Sequence, residues 1–282
     1  MTSEKKSKTE NFQNFSPYKK ECSKIYVSDQ LLHDFQKEKL KHIYKYLPID
    51  YFIDSIIHHY FYMASPSKWE DSFEMKYLDF IASNENKENE KLRNYSIFCS
   101  CMTYNNSDSE EASWNNYGDN KENVIRVTYN FDEFCKVLND VSNENIYIGK
   151  VDYKLRKDIV KPLPQIRNEK VKNGYEVLYV NNFCLKQNAY EYEKELRFCV
   201  VKECDSSKEE LRIEYVNLLS AIEKITLPPI NFSKIEKGEV YKKVIEQANK
   251  HIILKAFCPK VPIHVSNLFN PNEPNMTSEL IL

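Results

Sequence analysis

Three glutamates alternate with other residues just ahead of an apolar run late in the chain. The segment reads Tyr190-Glu191-Tyr192-Glu193-Lys194-Glu195-Leu196-Arg197. Side chains of a β-strand alternate between its two faces, so Glu193, Glu195 and Arg197 would share one face of a strand that began at Glu193. Leu196 and the apolar residues after it would then face the core. The spacing therefore predicts two carboxylates and a guanidinium side by side at a cleft.

Neighbouring carboxylates can divide acid and base roles. Each negative charge raises the pKa of the other carboxyl group, while a nearby arginine lowers both. The same spacing also occurs in a solvated edge strand whose charged side chains form a ladder of ion pairs. The spacing alone leaves both interpretations open.

The elements that must position these residues follow from the apolar pattern. Strands are predicted at residues 43–47, 61–64, 95–102, 124–129, 146–153, 196–201, 211–216, 222–227 and 252–257, and helices at 28–40, 50–60, 112–117, 131–141 and 235–251. The strands at 196–201 and 211–216 would flank a polar hairpin. We predict one α+β domain with helical insertions over residues 25–282, after a flexible N-terminal segment at residues 1–24.

Glycine usage argues against two common nucleotide sites. The chain has 282 residues and four scattered glycines, Gly118, Gly149, Gly174 and Gly238. A P-loop or Rossmann site needs several glycines in a short stretch, because the backbone must approach the phosphates closely. The eight cysteines lack metal-ligand spacing, and we expect them to be reduced core thiols.

Charge and hydropathy indicate where the protein acts. The net charge is −2, so no overall field draws the protein onto nucleic acid or a membrane. No apolar run approaches the length of a spanning helix, and the first ten residues are polar and lysine-rich. We therefore expect no secretory signal and a cytoplasmic location. Residues 150–172 carry eight basic against three acidic residues, a surface that could steer a phosphate backbone or simply be solvated.

Five segments, in order, resemble a bacterial family of domains of unknown function. They are Tyr44-Lys45-Tyr46; Ser65-Pro66 with Trp69, Asp71, Phe73 and Glu74; Phe98-Cys99-Ser100; Trp114-x-x-Tyr117; and Tyr190-x-Tyr192-Glu193-x-Glu195-x-Arg197. The family carries Y-K-Y, N-D-P-F-E, W-S-H-Y and Y-E-x-E-x-R segments. Glu70 and Ser72 replace its asparagine and proline, and Asn116 replaces its histidine.

That family in turn resembles the ADP-ribosyltransferases, which hold NAD in the cleft of a small split β-sheet. The resemblance implies that Glu195 stabilises the oxocarbenium-like state formed when the nicotinamide–ribose bond breaks. It implies that Glu193 is the general base for the acceptor. It also places Lys45 against the NAD phosphates, where the family of transferases has histidine or arginine.

The resemblance implies further contacts with NAD as the bound substrate. The implied residues are Tyr44, Tyr46, Ser65, Trp114, Tyr117 and Arg197. Ser65 would line the nicotinamide pocket, and the aromatic side chains would stack on the ligand or close the cleft. The alternative interpretation makes the aromatic residues core residues and Lys45 a solvated strand lysine.

These observations predict an α+β, ADP-ribosyltransferase-like enzyme, a glycosyltransferase that transfers ADP-ribose from NAD to RNA, DNA or protein. Such an activity suits a bacterial toxin or an antiviral phage-defence effector, and a neutralising antitoxin would be the matching partner. Two alternatives stay open. One is a magnesium-dependent nuclease using Asp71, Glu74, Glu193 and Glu195. The other is a non-catalytic module that binds a nucleotide or a partner.

Overall fold

The computed structural model describes residues 13–38, 41–69, 95–105, 114, 123–155, 174–203, 208–231, 235–236, 238–266 and 268–269. The strands in these ranges are β1 (Phe15–Pro17), β2 (Ile25–Ser28), β3 (His42–Pro48), β4 (Tyr60–Ala64), β5 (Tyr95–Thr103), β6 (Val124–Asn130), β7 (Ile146–Lys150), β8 (Asp152–Lys154), β9 (Leu185–Gln187), β10 (Glu195–Glu203), β11 (Glu210–Glu214), β12 (Ile222–Leu227) and β13 (Ile263–Val265). The α-helices are α1 (Asp29–Glu38), α2 (Ile49–His58), α3 (Phe131–Val141), α4 (Gly174–Asn182) and α5 (Val240–Phe257).

A mixed sheet forms the centre of the described fold. Its strands follow the order β1-β2-β7-β10-β5-β3-β6-β12-β13, and most neighbours are antiparallel. The sheet branches at β5, because Ala64 of β4 pairs with Cys99 while β4 also pairs with β11. Strands β8 and β9 form a separate parallel pair. The predicted α+β class is confirmed.

One face of the sheet packs against the helices. In β10, Leu196, Phe198 and Val200 point to this side and join the largest hydrophobic cluster. Helices α1, α2, α3 and α5 contribute Leu31, Phe52, Phe134 and Leu254 to the same cluster. We call this side of the sheet the core face. Burying each of these side chains contributes roughly 1.5–3 kcal/mol.

The other face carries the charged residues of β10. Alternation along the strand places Glu195, Arg197 and Cys199 on this side, opposite the core face. Further along, Cys199 and Val201 pack in a second cluster with Val180 of α4. We call the side that carries Glu195 and Arg197 the polar face. Both faces are therefore covered, and the glutamates that were predicted to face a cleft lie under other elements.

Helix boundaries follow local capping chemistry. The Asn130 side chain accepts a hydrogen bond from the Glu133 N–H at 3.2 Å, which starts α3, and Asp132 adds a favourable charge to its first turn. The Ser28 hydroxyl accepts from the Leu31 N–H at 3.4 Å at the start of α1. His59, with a φ of 55°, ends α2. The helices predicted near residues 28–40, 50–60 and 131–141 are confirmed.

Two predicted elements near the end of the chain differ from the structure. Strands β10 and β11 do not pair with each other, since β10 pairs with β5 and β7 and β11 pairs with β4. Residues 252–257 were predicted as a strand but form the last turns of α5. Their β-branched side chains are tolerated in the helix because Leu254 packs into the core.

The N-terminal residues also differ from their prediction. Residues 1–12 lie outside the described ranges, but β1 occupies Phe15–Pro17 and pairs with β2. The Gln13 N–H donates to the Asn181 side chain at 2.7 Å. Cys22 is buried in the core. The short β1 carries too little apolar periodicity to be seen in the sequence, and its partners come from distant segments.

The described helices and cysteines can be compared with what the sequence led us to expect. Among the described helices, none has the length and apolar character needed to cross a membrane. The described cysteines are free thiols, and six of the seven are buried. Cys204 lies outside the described ranges.

Candidate active site

Glu195 opens strand β10 as a buried carboxylate. Its side chain and that of Arg197 are each 1% exposed. Arg197 Nε lies 2.8 Å from Glu195 Oε1, and Arg197 Nη2 lies 3.3 Å from Glu195 Oε2. The two residues meet because positions two apart on a strand share a face. Such charge-assisted, two-point contacts fix the orientation of a carboxylate.

A lysine joins this carboxylate to a second one. Lys186 Nζ lies 3.1 Å from Glu195 Oε2 and 2.7 Å from Glu193 Oε2. Lys186 belongs to β9, and its ammonium lies 4.9 Å from the centre of the Tyr190 ring. The cluster therefore contains two carboxylates and two cations.

Glu193 reaches the cluster from a turn and not from the strand. It ends a short 3₁₀ helix, Asn188–Glu193, and Lys194 then adopts a left-handed conformation with a φ of 44°. The Thr103 hydroxyl donates to the Glu193 carbonyl at 2.7 Å and also lies 3.2 Å from the Lys194 carbonyl. The strand thus begins two residues later than the alternation suggested. The turn still brings Glu193 and Glu195 to the same lysine.

The two carboxyl groups have opposite pKa shifts. Burial would raise the pKa of Glu195, but the charges of Arg197 and Lys186 outweigh it and lower this pKa. Burial raises the pKa of Glu193 more than Lys186 lowers it. A carboxyl pair whose environments separate its pKa values has the arrangement needed for divided roles in acid–base chemistry.

Neighbouring groups hold the buried pair. The Cys101 thiol donates a hydrogen bond to Glu195, and burial followed by the Glu195 charge raises the pKa of this thiol. The Glu195 N–H donates to the Tyr153 hydroxyl at 2.9 Å. Arg197 donates to the Phe183 carbonyl and lies 4.5 Å from the centre of the Trp69 ring.

Sequence reasoning missed most of these neighbours. Lys186 and Tyr153 occur in three-residue strands and Thr103 ends β5, and their residue types do not distinguish them from surface residues. Cys101 was assigned to a core run, although its thiol contacts the carboxylate. Trp69 was part of the resemblance, and its contact with Arg197 gives it a position in the site.

The structure corrects the expected position of Lys45. This side chain lies on the core face, where its ammonium contacts the Ser100 hydroxyl and lies 5.2 Å from the centre of the Phe61 ring. Burial lowers the pKa of Lys45 to about 8. Since Glu195 lies on the polar face, the sheet separates the two side chains. Lys45 therefore does not share a cleft with Glu195, contrary to the prediction.

The tyrosines beside Lys45 lie on the polar face. The Tyr44 ring lies 4.2 Å from the Arg126 guanidinium carbon, and the Tyr46 and Trp114 rings meet edge to face with centroids 5.0 Å apart. All four side chains are buried. Arg126 was not predicted, although a lone charge inside the apolar run at residues 124–127 was a usable signal.

A row of cross-strand partners connects these parts of the polar face. Glu195 lies opposite Thr103, Thr103 opposite Tyr44, Tyr44 opposite Thr128, and Thr128 opposite Lys224. Directly opposed residues point to the same side of a sheet. The row therefore spans five strands, with a carboxylate at one end and an ammonium at the other.

The remaining predicted site residues lie elsewhere or outside the described ranges. The Ser65 hydroxyl accepts from the Ser67 N–H at 3.4 Å and caps the short 3₁₀ helix Pro66–Lys68. Tyr117, Asp71 and Glu74 lie outside the described residues.

The predicted basic tract is described in part. Residues 156–172 of the tract at 150–172 lie outside the described ranges. Lys150 Nζ lies 2.8 Å from Asp34, and Lys154 Nζ lies 3.2 Å from Asp152. The two described lysines of the tract thus have carboxylate partners.

The Glu195 carboxylate already has two cationic partners within the protein. Both oxygens of Glu195 contact protein cations, and the described residues contain no group of three or more histidine, cysteine, aspartate or glutamate side chains that could hold a metal ion. The Glu193 carboxylate contacts Lys186 through Oε2, and its side chain is 9% exposed. The arrangement fits a fixed negative charge beside a second, proton-accepting carboxylate.

Comparisons with known proteins give one family match. Residues 113–198 match a family described as "Protein of unknown function (DUF2971)". No curated protein and no solved structure matches the chain. The matched range contains Trp114 and the segment from Glu193 to Arg197, so it supports the resemblance to a family of domains of unknown function for this part of the chain.

Proposed function

We propose that the protein is an ADP-ribosyltransferase that cleaves the nicotinamide–ribose bond of NAD and transfers ADP-ribose to a macromolecular acceptor. The observation that carries the proposal is the pair Glu193 and Glu195, joined by Lys186, with pKa values shifted in opposite directions. Cleavage at a glycosidic carbon needs one carboxylate that stays ionised and another group that exchanges a proton. NAD as the donor rests on the resemblance of the motif series.

Glu195 supplies the fixed negative charge in this proposal. Nicotinamide leaves with the electrons of its bond to the ribose, which leaves positive charge on the ring oxygen and the anomeric carbon. A buried carboxylate with a lowered pKa is ionised at neutral pH and stabilises that charge. Arg197 holds the carboxylate in one orientation, so little reorganisation is needed during the reaction.

Glu193 supplies the proton acceptor. The nucleophilic atom of the acceptor forms a bond to the anomeric carbon and releases its proton to the Glu193 carboxylate. A raised pKa makes a carboxylate a stronger base, and the side chain of Glu193 is more exposed than that of Glu195. The Lys186 ammonium contacts one oxygen of each carboxylate and keeps the two groups adjacent.

The proposed fold assignment is an ADP-ribosyltransferase-like arrangement within the branched sheet. The polar face of β3, β5 and β10 carries Tyr44, Tyr46 and Glu195, which are buried, so in this proposal NAD reaches them only when the segments that cover this face move aside. Lys45 is left out of this site because it lies on the core face. The proposed setting is the bacterial cytoplasm, where a toxin or phage-defence effector would meet NAD and RNA, DNA or protein acceptors.

The test measures nicotinamide release and label transfer from adenylate-labelled NAD to separate pools of RNA, DNA and protein. Glu195→Gln should fold and lose at least about a hundredfold in rate, as expected for removal of a transition-state charge contact. Glu191→Gln is the matched control, since Glu191 lies in the same turn, is 62% exposed and contacts Lys194. It should retain the wild-type rate.

Other results would replace the proposal. Cutting of nucleic acid with Mg²⁺ and without NAD would favour a nuclease. Binding of NAD to the wild type without release of nicotinamide would favour a binding module. Growth arrest on expression of the wild type but not of Glu195→Gln would support the toxin role, and an antitoxin would then be sought by suppression of that arrest.

A further inference from the structure

Lys45 and Ser100 form a polar pair on the core face, on the other side of the sheet from Glu195. The Lys45 ammonium contacts the Ser100 hydroxyl, and its nitrogen lies 5.2 Å from the centre of the Phe61 ring. Ser100 is buried, whereas Lys45 is partly exposed. The proposed transfer of ADP-ribose uses neither side chain. We call these two residues the serine–lysine pair.

The branch of the sheet brings this pair together. Strand β5 pairs with β3 at Thr103 and with β4 at Cys99, so the sheet divides between these two positions. Ser100 lies in that interval, and the Lys45 side chain reaches it from β3. The pair therefore lies where β3 and β4 separate from each other along β5.

The described residues around Lys45 supply no carboxylate that would hold its proton. Burial outweighs an opposing influence of Cys101 and lowers the pKa of Lys45 to about 8. The Cys101 thiol stays neutral, because burial, followed by the charge of Glu195, raises its pKa. From the other neighbouring strands, Val127 of β6 and Phe61 of β4 present apolar side chains. Lys45 is therefore a lysine that can lose its proton near neutral pH.

A neutral lysine in contact with a serine hydroxyl can act as a base. With a pKa of about 8, about one tenth of the Lys45 side chains are neutral at pH 7, and this fraction rises with pH. The neutral amine takes the hydroxyl proton, and the serine oxygen becomes a nucleophile, as in the serine–lysine variants of the catalytic triad. The contact between Lys45 and Ser100 provides the geometry for this proton transfer.

We propose that the serine–lysine pair is a second reactive site, in which Ser100 attacks the carbonyl carbon of a small carboxylic ester and Lys45 is the base. The Ser100 oxygen bonds to this carbon while its proton passes to the Lys45 nitrogen. The alcohol part of the ester then leaves with its bonding electrons and takes that proton, and an acyl group stays on Ser100. Water releases the acyl group as a carboxylic acid, with Lys45 again taking and returning the proton.

The surroundings of the pair indicate the class of ester. Phe198 lies opposite Ser100 in β10, and both Phe198 and Phe61 belong to the largest hydrophobic cluster. A short, uncharged acyl group suits such neighbours. Since Lys45 is the more exposed member of the pair, the ester would enter past its side chain. This site does not depend on the proposed function.

A fluorophosphonate ester tests Ser100 as a nucleophile. An activated serine oxygen bonds to the phosphorus of this probe, and fluoride leaves, so mass spectrometry of peptides locates the label. The wild type should be labelled at Ser100, and Ser100→Ala should not be labelled. Ser96→Ala is the control, because Ser96 is a partly exposed serine of the same strand. It should be labelled at the wild-type rate.

Two variants of Lys45 test the base. Lys45→Met has no basic group, and Lys45→Arg keeps a positive charge that does not lose its proton near neutral pH. Both should lower the rate of labelling and the rate of p-nitrophenyl acetate hydrolysis by about a hundredfold or more. In the wild type both rates should rise with pH and follow a pKa of about 8. Lys41→Met, which changes an exposed lysine just before β3, should keep the wild-type rates.

A last variant separates this site from the proposed transfer of ADP-ribose. Glu195→Gln should be labelled at Ser100 as fast as the wild type, whether or not the wild type cleaves NAD. Circular dichroism shows that each variant is folded before its rate is compared. The proposal is overturned if Ser100 of the wild type stays unlabelled at pH 9, or if Lys45→Met is labelled at the wild-type rate.

Discussion

Glu195 and Arg197 form an ion pair inside the protein, with nitrogen–oxygen distances of 2.8 and 3.3 Å and with both side chains almost fully buried. Removing two charges from water costs free energy that their attraction does not always return. An apolar pair of the same size would often be as stable. The ion pair is therefore weak grounds for stability, and the proposed function gives its carboxylate a chemical role.

Loss of one partner from this pair should be costly. Arg197→Met leaves the Glu195 carboxylate buried with Lys186 as its remaining cation, and we expect a loss of about 3–5 kcal/mol in the free energy of unfolding. Urea denaturation would measure it. The double variant Arg197→Met/Glu195→Leu removes both charges and should recover most of the loss. A single variant that costs less than about 1 kcal/mol would mean that the pair is screened by water.

The lowered pKa of Glu195 predicts how stability depends on pH. Its carboxyl group has a pKa of about 2 in the folded protein, below the ordinary value of the unfolded chain. The ionised form therefore stabilises the fold above about pH 4.5, by roughly 3 kcal/mol, and this contribution disappears as the pH falls towards 2. The difference in unfolding free energy between wild type and Glu195→Gln should shrink across that window. A constant difference from pH 7 to pH 2 would contradict the assignment.

The lowered pKa of Lys45 predicts a change of stability with pH in the alkaline range. Its pKa of about 8 lies below the value of an unfolded lysine, so the unfolded state binds more protons between about pH 8 and 10.5. The stability of the wild type relative to Lys45→Met should rise through that window. At pH 7 the methionine variant should be the more stable one by about 1–2 kcal/mol, because it removes an ammonium from apolar surroundings.

The contact of Lys45 with Ser100 complicates this comparison, since the hydroxyl loses its partner in the variant. Measuring Lys45→Met in a Ser100→Ala background removes that effect. Unfolding monitored by circular dichroism from pH 6 to pH 11 supplies the data. If the difference in the free energy of unfolding stayed constant from pH 8 to pH 10.5, the Lys45 ammonium would be in contact with water.

Gly149 is predicted to be essential for packing behind the site. A β-carbon at this position would lie 2.5 Å from Cys184 Sγ, and Gly149 is the cross-strand partner of Arg197. Gly149→Ala should cost about 1–3 kcal/mol through overpacking. Cys184→Ala removes the sulfur, so the double variant should recover much of the loss in a thermal unfolding cycle. Gly238→Ala is the control, because no atom lies within 4 Å of its added β-carbon.

Local patterns identified many elements of the fold. Asn130 before an apolar helix, and the β-rich run at residues 124–129, were readable because capping and alternation act over a few residues. The same alternation indicated that Glu195 and Arg197 share a face. Glu193 was also expected to lie beside Glu195. A left-handed turn at Lys194 brings the two together, whereas the sequence had suggested a continuous strand.

Features that depend on distant pairing could not be read from the chain. The alternation of Tyr44, Lys45 and Tyr46 does not say which side faces the core, because both sides of this sheet are covered. Tyr44 and Tyr46 were expected to share one site with Lys45, whereas the sheet separates the two tyrosines from the lysine. Lys186 belongs to a three-residue strand, and its contact with both glutamates depends on a turn held by Thr103.

The row from Glu195 to Lys224 has a consequence for when the candidate site can assemble during synthesis. Its members are far apart along the chain, at positions 44, 103, 128, 195 and 224, and they meet after the intervening segments have paired. A chain emerging from the ribosome has neither Glu193 nor Glu195 until about two thirds of its 282 residues have been made. Under the proposed function, a host would therefore meet no fragment that holds both carboxylates before about two thirds of the chain had been translated.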